Sequence, residues 1–465
     1  MFVVHGSLFV AMNHQPSTMN HDSNKTAIEF SPKSKFPLLC LSNGHGEDII
    51  AVRILQELKQ HPTPLNIAAL PLVGEGRAYT QLGIPLIGGV QPMPSGGFIY
   101  MDGRQVVRDL RGGLFQLTLA QLWAVRSWAK QSGVILAVGD IVPLLFAWFS
   151  GARYAFVGTA KSEYYLRDEA GPYQRRSRLQ RWEGWSGSVY LPWERWLMSR
   201  PRCQAVFPRD SLTTETLQKW SIPAFDLGNP MMDQLEPRTL NQMFYASDAE
   251  SREQARALTI TLLPGSRPPE AYANWQQIMM AVTALLETFH DQSLLFLGAI
   301  APGLSLEPLR QILVNAGFQE VNTKESEKYH SLIPAPEALT FTHKNAYLIL
   351  TQHAYNECLN LADLAIAMAG TATEQFVGLG KPAIAIPGTG PQFTPAFAEA
   401  QSRLLGSSLI LVEQPNQVAR VVQSLLQDPD RLQLIAENGS RRMGRPGAAH
   451  AIATYLIEQL GQSDF

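Results

Sequence analysis

The sequence predicts an α/β fold with two doubly wound domains that face each other across a cleft. Its 465 residues exceed what a single hydrophobic core usually supports. From Phe36 onward, short apolar runs alternate with amphipathic stretches, which is the pattern of parallel strands followed by helices. The alternation occurs in two series, and the polar stretch between them, residues 236–254, carries no strand signal.

The domain boundaries follow from the same pattern. Residues 1–35 are polar and aperiodic and predict a disordered N-terminal tail. The first doubly wound domain is expected over residues 36–238 and the second over residues 255–444. Residues 445–465 predict a C-terminal helix that packs back on the first domain.

Each series begins with a strand that leads into a helix. Residues 36–41 predict the first strand and residues 48–59 its helix, with Ile, Val and Leu on one face. The other strands expected in the first domain are 65–70, 134–138, 154–157, 205–207 and 224–227. Those expected in the second domain are 258–263, 293–297, 347–350, 364–368, 383–386 and 409–412.

Composition argues against several classes of protein. With 38 basic and 40 acidic residues the formal net charge is -2, which argues against binding to nucleic acid. Cys40, Cys203 and Cys358 lie far apart without a His cluster, so neither a disulfide framework nor a zinc site is expected. No stretch has the ~20 apolar residues of a membrane-spanning helix, and the first residues lack the features of a signal peptide. We therefore expect a cytoplasmic protein that needs no metal or cofactor.

The strand at 258–263 ends in Pro264-Gly265-Ser266-Arg267. In doubly wound sheets, ligands bind beyond the carboxyl ends of the strands, and an arginine there can bridge phosphate oxygens with its planar fork. Gly265, Ser266 and Arg267 are therefore predicted to hold a diphosphate. The alternative is an ordinary turn with a solvated arginine.

A second motif, Gly370-Thr371-Ala372-Thr373-Glu374, follows the strand at 364–368. Its small residues let the backbone approach a ligand, and the N–H groups at the start of the next helix, expected at 375–379, attract an anion. This pattern predicts a pyrophosphate site, with the Glu374 carboxylate accepting hydrogen bonds from ribose hydroxyls. The alternative is a threonine-capped helix with a glutamate in its first turn.

A Gly/Pro-rich loop, residues 387–394, follows the next strand and contains Gln392. An amide side chain both donates and accepts hydrogen bonds, as recognition of sugar hydroxyls requires, so Gln392 is predicted to contact a donor sugar. A plain surface loop is the alternative.

In the first domain, the first strand runs into Gly44-His45-Gly46-Glu47. The glycine-flanked His45 can act as a base or orient an acceptor, and Gly44, Gly46 and Glu47 are expected to bind that acceptor. The alternative for His45 is a cap or turn residue.

Asp140 follows the strand at 134–138, at the same end of the sheet. Burial among apolar neighbours would raise the pKa of Asp140 and make it a usable base. The alternative is an N-cap for the helix expected at 143–149.

Residues 94–128 and 173–202 combine Trp and other apolar side chains with several arginines, which favours docking on an anionic bilayer. The alternative is ordinary helix packing with arginines that extend to the surface. Asp428-Pro429-Asp430 spells a DxD motif of metal-dependent sugar transferases, but its place between two helices predicts a turn.

From about Phe36 to its end the chain resembles lipid-A-disaccharide synthase, and more closely the proteins related to that synthase. The motifs that carry the resemblance are Leu262-Leu263-Pro264-Gly265-Ser266-Arg267, Gly370-Thr371-Ala372-Thr373-Glu374, Gly228-Asn229-Pro230-Met231-Met232-Asp233 and Gly139-Asp140. The resemblance implies the glycosyltransferase B fold of two Rossmann-like domains, a UDP-sugar donor and metal-independent inverting transfer. It also implies a lipid acceptor at the cytoplasmic face of a membrane, with the suspected base of the synthase on the loop that matches Asp140.

The chain departs from that synthase at two positions. Its loop from Gly44 to Asp48 is closer to the Gly-Gly-His loops of peptidoglycan and galactolipid glycosyltransferases, and Asn229 replaces a histidine. We expect transfer of a hexose or N-acetylhexosamine from a UDP-sugar to a lipid-linked hydroxyl, with Asp140 or His45 as the base. The alternatives are a UDP-sugar 2-epimerase and a non-catalytic protein that binds nucleotide sugars or membranes. The sequence leaves the oligomeric state open.

Overall fold

The computed structural model describes residues 36–63, 65–89, 114–131, 133–173, 184–236, 257–321, 333 and 335–460. The chain divides into two compact units. The first contains the described residues up to Asp233 and those from Arg445 onward, and the second contains those from Gln234 to Gly444. The tail expected at 1–35 lies outside the described residues, as does the part of the predicted junction after residue 236.

The first unit is built on a five-stranded parallel sheet in the order β2-β1-β3-β4-β7. The strands of this unit are β1 (Phe36–Ser42), β2 (Leu65–Pro71), β3 (Val134–Gly139), β4 (Arg153–Gly158) and β7 (Cys203–Phe207), together with the separate antiparallel pair β5 (Arg167–Asp168) and β6 (Gly171–Pro172). Every residue of β3 is buried, as expected of a central parallel strand with helices on both faces.

Helices cover both faces of this sheet. They are α1 (His45–Gln60), α2 (Arg77–Gln81), α3 (Leu114–Ala129), α4 (Ile141–Ser150), α5 (Pro192–Met198) and α6 (Ser211–Gln218). Alternate residues of β1 enter opposite cores: Leu38 and Cys40 join one buried cluster with residues of α1, whereas Leu39 and Leu41 join another with residues of α3 and α4.

Two predictions in this unit need correction. The helix expected at 48–59 begins one turn earlier, at His45, because Gly44 takes the N-cap position with a φ of 128°. The prediction of a strand at 224–227 is wrong. Ala224 forms only an isolated bridge with Val206, after which Asn229 donates its backbone N–H to the Arg445 carbonyl oxygen of the C-terminal segment.

The second unit contains an eight-stranded sheet in the order β10-β11-β12-β9-β8-β13-β14-β15. Its strands are β8 (Leu258–Leu263), β9 (Leu294–Ala299), β10 (Gln319–Glu320), β11 (Leu339–His343), β12 (Ala346–Thr351), β13 (Leu364–Ala367), β14 (Ala383–Ala385) and β15 (Leu409–Leu411). All six predicted strands are confirmed, with ends shifted by one or two residues. The sequence did not predict β10 and β11, which add an antiparallel edge to the parallel sheet.

The helices of the second unit are α7 (Glu270–Thr288), α8 (Leu306–Asn315), α9 (Tyr355–Leu361), α10 (Thr371–Gly378), α11 (Pro395–Leu405), α12 (Gln417–Leu426) and α13 (Pro429–Met443). The predicted turn at Asp428 is the N-cap of α13, where the aspartate accepts the Arg431 N–H at 3.0 Å. The fold confirms the predicted class, two doubly wound α/β units.

The chain returns to the first unit in α14 (Ala448–Tyr455), which packs against α1 and continues as a π-helical turn at Leu456–Leu460. The Asp233 carboxylate accepts the backbone N–H groups of Gly447, Ala448 and Ala449 at 2.5, 3.2 and 2.7 Å. This carboxylate fixes the start of α14, since the first N–H groups of a helix lack partners within it. Among the described helices, none is long and apolar enough to cross a membrane.

Candidate functional site

Each sheet has a point where the chain reverses the direction in which it adds strands, and ligands of doubly wound folds bind beyond the strand ends at such points. In the second unit this point lies between the neighbours β8 and β13, because β9 and β12 lie to one side and β14 and β15 to the other. In the first unit it lies between β1 and β3. The predicted site residues follow these four strands, except for Gln392, which lies after β14.

In the second unit, two side chains of α7 tie three loops together. Asn274 donates through Nδ2 to the carbonyl oxygens of Pro264, at 3.0 Å, and of Met368, at 3.4 Å. One turn earlier, the Glu270 carboxylate accepts the backbone N–H of Gln392 at 3.1 Å and of Phe393 at 2.6 Å. The loops after β8, β13 and β14 are therefore brought to one place.

The sequence did not identify Glu270 and Asn274. Both are buried, although Glu270 lies in the first turn of a helix, where a glutamate is ordinarily solvated. The signal that could have found them is their spacing of four residues, which places them on one face of the helix that follows the Arg267 loop.

Gly265 lies where the loops after β8 and β13 approach most closely. Its φ of +95° is in the left-handed region, and a Cβ there would lie 3.2 Å from the Met368 carbonyl oxygen. Only glycine satisfies both conditions without strain. The backbone N–H groups beyond it are thus held by a rigid turn.

Helix α10 begins at Thr371, four residues earlier than predicted, with Gly370 at its N-cap. The motif Thr371-Ala372-Thr373 therefore forms the first turn, whose N–H groups have no partner within the helix. Gln401 donates through Nε2 to the carbonyl oxygens of Ala369 and Gly370 at 3.2 and 3.0 Å. These bonds orient the turn.

Two buried polar atoms beside this turn have no hydrogen-bond partner among the described residues: Thr371 Oγ1 and Gln401 Oε1. Buried polar atoms are rarely left unpaired, so these two atoms are candidate contacts for a polar ligand. Glu374 is buried in the same first turn.

Arg267 is half-buried beside Glu270. Burial lowers the pKa of its guanidinium, and the negative charge of Glu270 offsets part of that change. The group stays positively charged in either case, since arginine does not lose its proton in proteins. Gln392 is also half-buried, and Glu270 fixes its backbone N–H. The second unit thus places one cation, a helix start and a polar side chain on adjoining loops.

In the first unit, Asn43 and Asp140 connect the loops after β1 and β3. Asn43 donates through Nδ2 to both carboxylate oxygens of Asp140, at 3.1 Å each. Asp140 also accepts the Val142 N–H at 2.8 Å as the N-cap of α4. Burial raises the pKa of Asp140, while the bonds from Val142 and Asn43 act in the opposite direction.

Glu47 lies in the first turn of α1, between these two loops. A Cβ at Gly139 would lie 3.1 Å from its Cγ, and a Cβ at Gly44 would lie 3.1 Å from its Oε2. Burial, with smaller contributions from the charges of Asp140 and Asp48, raises the pKa of Glu47 to about 8. Of the other predicted residues, Gly46 belongs to the same turn, and the side chain of His45 lies outside the described residues.

Asp48 follows Glu47 in the first turn of α1 and is almost completely buried. Ser42 donates its hydroxyl to the Asp48 carboxylate and accepts a hydrogen bond from Tyr79, both at 2.5 Å. Burial raises the pKa of Asp48 to about 7, against the effect of these hydroxyls. Glu47, Asp48 and Asp140 are thus three carboxyl groups with raised pKa values at one end of the sheet. The described residues contain no group of three His, Cys, Asp or Glu side chains placed to hold a metal ion.

The same unit exposes an apolar face on α3, α4 and α5, which we call the aromatic face. It consists of pairs spaced three or four residues apart: Leu119 and Trp123, Leu145 and Phe149, and Trp193 and Trp196. The Trp148 ring packs edge-on against Phe149 and Trp196, with centroids 4.8 and 5.4 Å away. Residues 94–113 and 174–183 of the predicted interfacial regions lie outside the described residues.

The charges around the aromatic face have one sign. Arg126 and Lys130 are exposed at the end of α3, and the Arg200 guanidinium stacks 4.4 Å from the Trp196 ring. The only acidic residue of the three helices is Glu194, which is buried and paired with Lys161 at 2.5 Å. The aromatic face therefore presents apolar and cationic groups together.

No protein-family model matches this sequence, and no curated protein matches it. Several solved structures match nearly the whole chain. A putative UDP-N-acetylglucosamine 2-epimerase from Listeria monocytogenes has a TM-score of 0.54 and 12% identity, covering 92% of this chain and 98% of that one. MnaA of S. aureus, solved with UDP, has a TM-score of 0.51 and 13% identity, covering 91% and 97%. MurG of Acinetobacter baumannii has a TM-score of 0.50 and 13% identity, covering 90% and 98%.

At these identities the similarity establishes the fold alone. It agrees with the two doubly wound sheets described above. The chain therefore has the glycosyltransferase B fold of two Rossmann-like domains, as the sequence predicted.

Proposed function

We propose that the protein is an inverting glycosyltransferase that moves a hexose or N-acetylhexosamine from a UDP-sugar to a lipid-linked hydroxyl. The observation that carries the proposal is the meeting of three loops of the second unit at Glu270 and Asn274. That arrangement offers a guanidinium, a helix start and unpaired buried polar atoms to one ligand. A sugar diphosphate requires this combination of groups.

In this proposal, Arg267 and the first-turn N–H groups of α10 bind the diphosphate. They stabilise the negative charge that develops on UDP as the bond to the sugar breaks, so the transfer uses no metal ion. Glu374 accepts hydrogen bonds from the ribose, and Gln392 contacts the donor sugar. The similarity to MnaA supports the choice of nucleotide, since that protein was solved with UDP.

The first unit takes the acceptor. Its hydroxyl binds at Gly44, Gly46 and Glu47 and loses its proton to a base of the same loops, with Asp140 and His45 as the candidates from the sequence. The aromatic face supports a lipid acceptor, because exposed Trp and Phe side chains beside cations suit the headgroup layer of an anionic membrane. We therefore propose peripheral docking on the cytoplasmic side of a membrane.

A UDP-sugar 2-epimerase remains the second candidate. The observation in its favour is the set of carboxyl groups with raised pKa values in the first unit, Glu47, Asp48 and Asp140. Such groups can exchange a proton at a sugar carbon near neutral pH. An epimerase needs no acceptor, so conversion of UDP-GlcNAc alone, without lipid, would favour it and contradict transfer.

The test of donor binding is thermal unfolding with UDP, UDP-glucose, UDP-galactose, UDP-GlcNAc and GDP-mannose. A ligand that binds only the folded protein raises the unfolding temperature. We expect stabilisation by UDP and by at least one UDP-sugar, and none by GDP-mannose. If no uridine nucleotide stabilised the protein, the proposed function would be contradicted. If UDP-sugars bound but no lipid acceptor caused release of UDP, a non-catalytic protein would be favoured.

A further inference from the structure

We propose that Glu47, rather than Asp140 or His45, is the general base that takes the proton of the acceptor hydroxyl. This assignment rests on the proposed function and names the residue that performs its proton transfer.

The hydrogen bonds of Asp140 indicate a positioning role. Its carboxylate accepts three hydrogen bonds, two from the Asn43 amide and one from the N–H of Val142 that begins α4. These bonds stabilise the ionised form and occupy three of the roughly four lone-pair sites of the carboxylate. A carboxylate held in this way connects two loops and supplies a fixed negative charge.

Glu47 is placed differently. Its carboxyl oxygen lies against the Gly44 backbone and its Cγ against Gly139, so the side chain extends along the β1 and β3 loops at the strand reversal. It is half-buried at that strand reversal, whereas Asp48 is almost completely buried. Among the described groups, the one bond assigned to its carboxylate comes from its own backbone N–H.

Burial and the negative charges of Asp140 and Asp48 together raise the pKa of Glu47 to about 8. Asp140, between β3 and α4, and Asp48, on the same helix, are the charged groups that act on Glu47. The pKa of Asp140 is in turn raised by the charge of Glu194 and lowered by that of Lys161. A base works best when its pKa lies near the working pH, so Glu47 is suited to accept a hydroxyl proton. Asp140 contributes by raising the basicity of its neighbour.

The proposed step conserves atoms and charge. The ionised Glu47 takes the hydroxyl proton while the hydroxyl oxygen forms a bond to the anomeric carbon of the donor. The bond from that carbon to the β-phosphate oxygen breaks, and its electron pair leaves with UDP. The products are the glycosylated acceptor, UDP and a protonated Glu47, which then releases its proton to water.

The experiment measures UDP release from UDP-GlcNAc and UDP-glucose, with a total bacterial lipid extract in mixed micelles as the acceptor. Wild type, Glu47→Gln, Glu47→Asp, Asp140→Asn and His45→Ala are compared across pH 5 to 9, each with its thermal shift by UDP. Glu57→Gln, a change further along α1, is the matched control.

We expect Glu47→Gln to lower kcat/KM by about 10²- to 10⁴-fold and to abolish its rise with pH, while the thermal shift by UDP is unchanged. Glu47→Asp restores part of the rate. In Asp140→Asn, kcat/KM still rises with pH but does so at lower pH. The reason is that the loss of a negative charge beside Glu47 lowers the pKa of Glu47. His45→Ala keeps the rise at the pH of wild type.

Loss of the rise in Asp140→Asn or His45→Ala, with Glu47→Gln unaffected, would overturn the assignment and leave the proposed function intact. UDP binding without UDP release by wild type would contradict the proposed transfer and, with it, the assignment of a base. No thermal shift by UDP in wild type would instead remove the proposed function and, with it, the base.

Discussion

The Glu270 carboxylate accepts the backbone N–H of Phe393 at 2.6 Å, although the two residues lie 123 positions apart in the chain. Since the same carboxylate accepts the Gln392 N–H, it fixes the loop after β14 against the start of α7. Glu270→Ala would leave two N–H groups without their acceptor. We expect a loss of about 1 to 3 kcal/mol in the free energy of unfolding, measured with urea, and weaker stabilisation by UDP-sugars.

Glu287→Ala is the control for this change, because Glu287 is exposed on the same helix. It should alter stability by no more than ~0.5 kcal/mol. Equal stability of the two variants would show that the bonds from Gln392 and Phe393 contribute nothing to the fold.

Gly265→Ala tests the turn at the diphosphate loop. The alanine would have to keep a φ of +95°, and its Cβ would lie 3.2 Å from the Met368 carbonyl oxygen. The backbone strain alone is expected to cost about 1 to 2 kcal/mol, and displacement of the loop should weaken UDP binding. Urea unfolding and thermal shift by UDP measure the two effects separately.

Gly83→Ala is a matched control for the backbone strain. Gly83 has a φ of +64°, but a Cβ there would meet nothing within 4 Å. It should lose stability without losing UDP binding. If both variants lost UDP binding to the same degree, the effect of Gly265→Ala could not be attributed to the loop.

Arg267→Ala removes the proposed phosphate contact. We expect the affinity for UDP, measured from its thermal shift, to fall by about tenfold or more, since charge-assisted bonds to phosphate are strong. Arg310→Ala, an exposed arginine of the same unit paired with Glu307 and Glu320, is the control and should bind UDP like wild type. Retention of full UDP affinity in Arg267→Ala would contradict the diphosphate assignment.

The strands were predictable because parallel strands buried on both faces are near-continuous apolar runs, as in Val134–Gly139. The place of the two candidate sites follows from the strand order that the structure shows. The segment 224–227 carries three apolar residues, but its chain leaves the sheet after Phe225, and the C-terminal segment supplies the next partner, at Asn229. That contact is long-range and has no local pattern.

The chemistry of individual site residues was less predictable. Glu270 and Asn274 look like ordinary polar helix positions, and only the folded loops bury them. Glu47 was expected to bind the acceptor, whereas its raised pKa depends on how closely Gly139 approaches it from 92 positions away. Desolvation by a distant loop cannot be deduced from neighbours in the sequence.

Asp48 should make stability depend on pH. The fold raises the pKa of this carboxyl from 3.8 to about 7, mainly through burial, so the folded protein keeps a proton that the unfolded chain has lost. The contribution of Asp48 to stability is complete below pH 4 and is lost as the pH rises through 7. A change of this size corresponds to at most on the order of 4 kcal/mol.

Urea unfolding between pH 4 and pH 8 measures this contribution. In Asp48→Asn the fall of stability with pH should be shallower than in wild type, and Glu47 and Asp140, whose pKa values are also raised, contribute to what remains. Asp430→Asn, at an exposed position, should behave as wild type. A slope as steep in Asp48→Asn as in wild type would show that Asp48 ionises in the folded protein as it does in the unfolded chain.

The aromatic face predicts binding to anionic vesicles. Trp123 is 72% exposed and Phe149 is 48% exposed, and burial of such a side chain in the headgroup layer contributes up to about 1.5 to 3 kcal/mol. Trp123→Gln and Phe149→Gln should each weaken binding to phosphatidylglycerol vesicles about tenfold, measured by flotation, and high salt should weaken it further by screening the nearby cations.

Leu434→Gln, which removes a 61% exposed side chain of the other unit, is the control and should bind like wild type. Equal binding by all three variants would mean that the face does not meet the membrane, whereas loss confined to Trp123 and Phe149 would locate the lipid surface on α3 and α4.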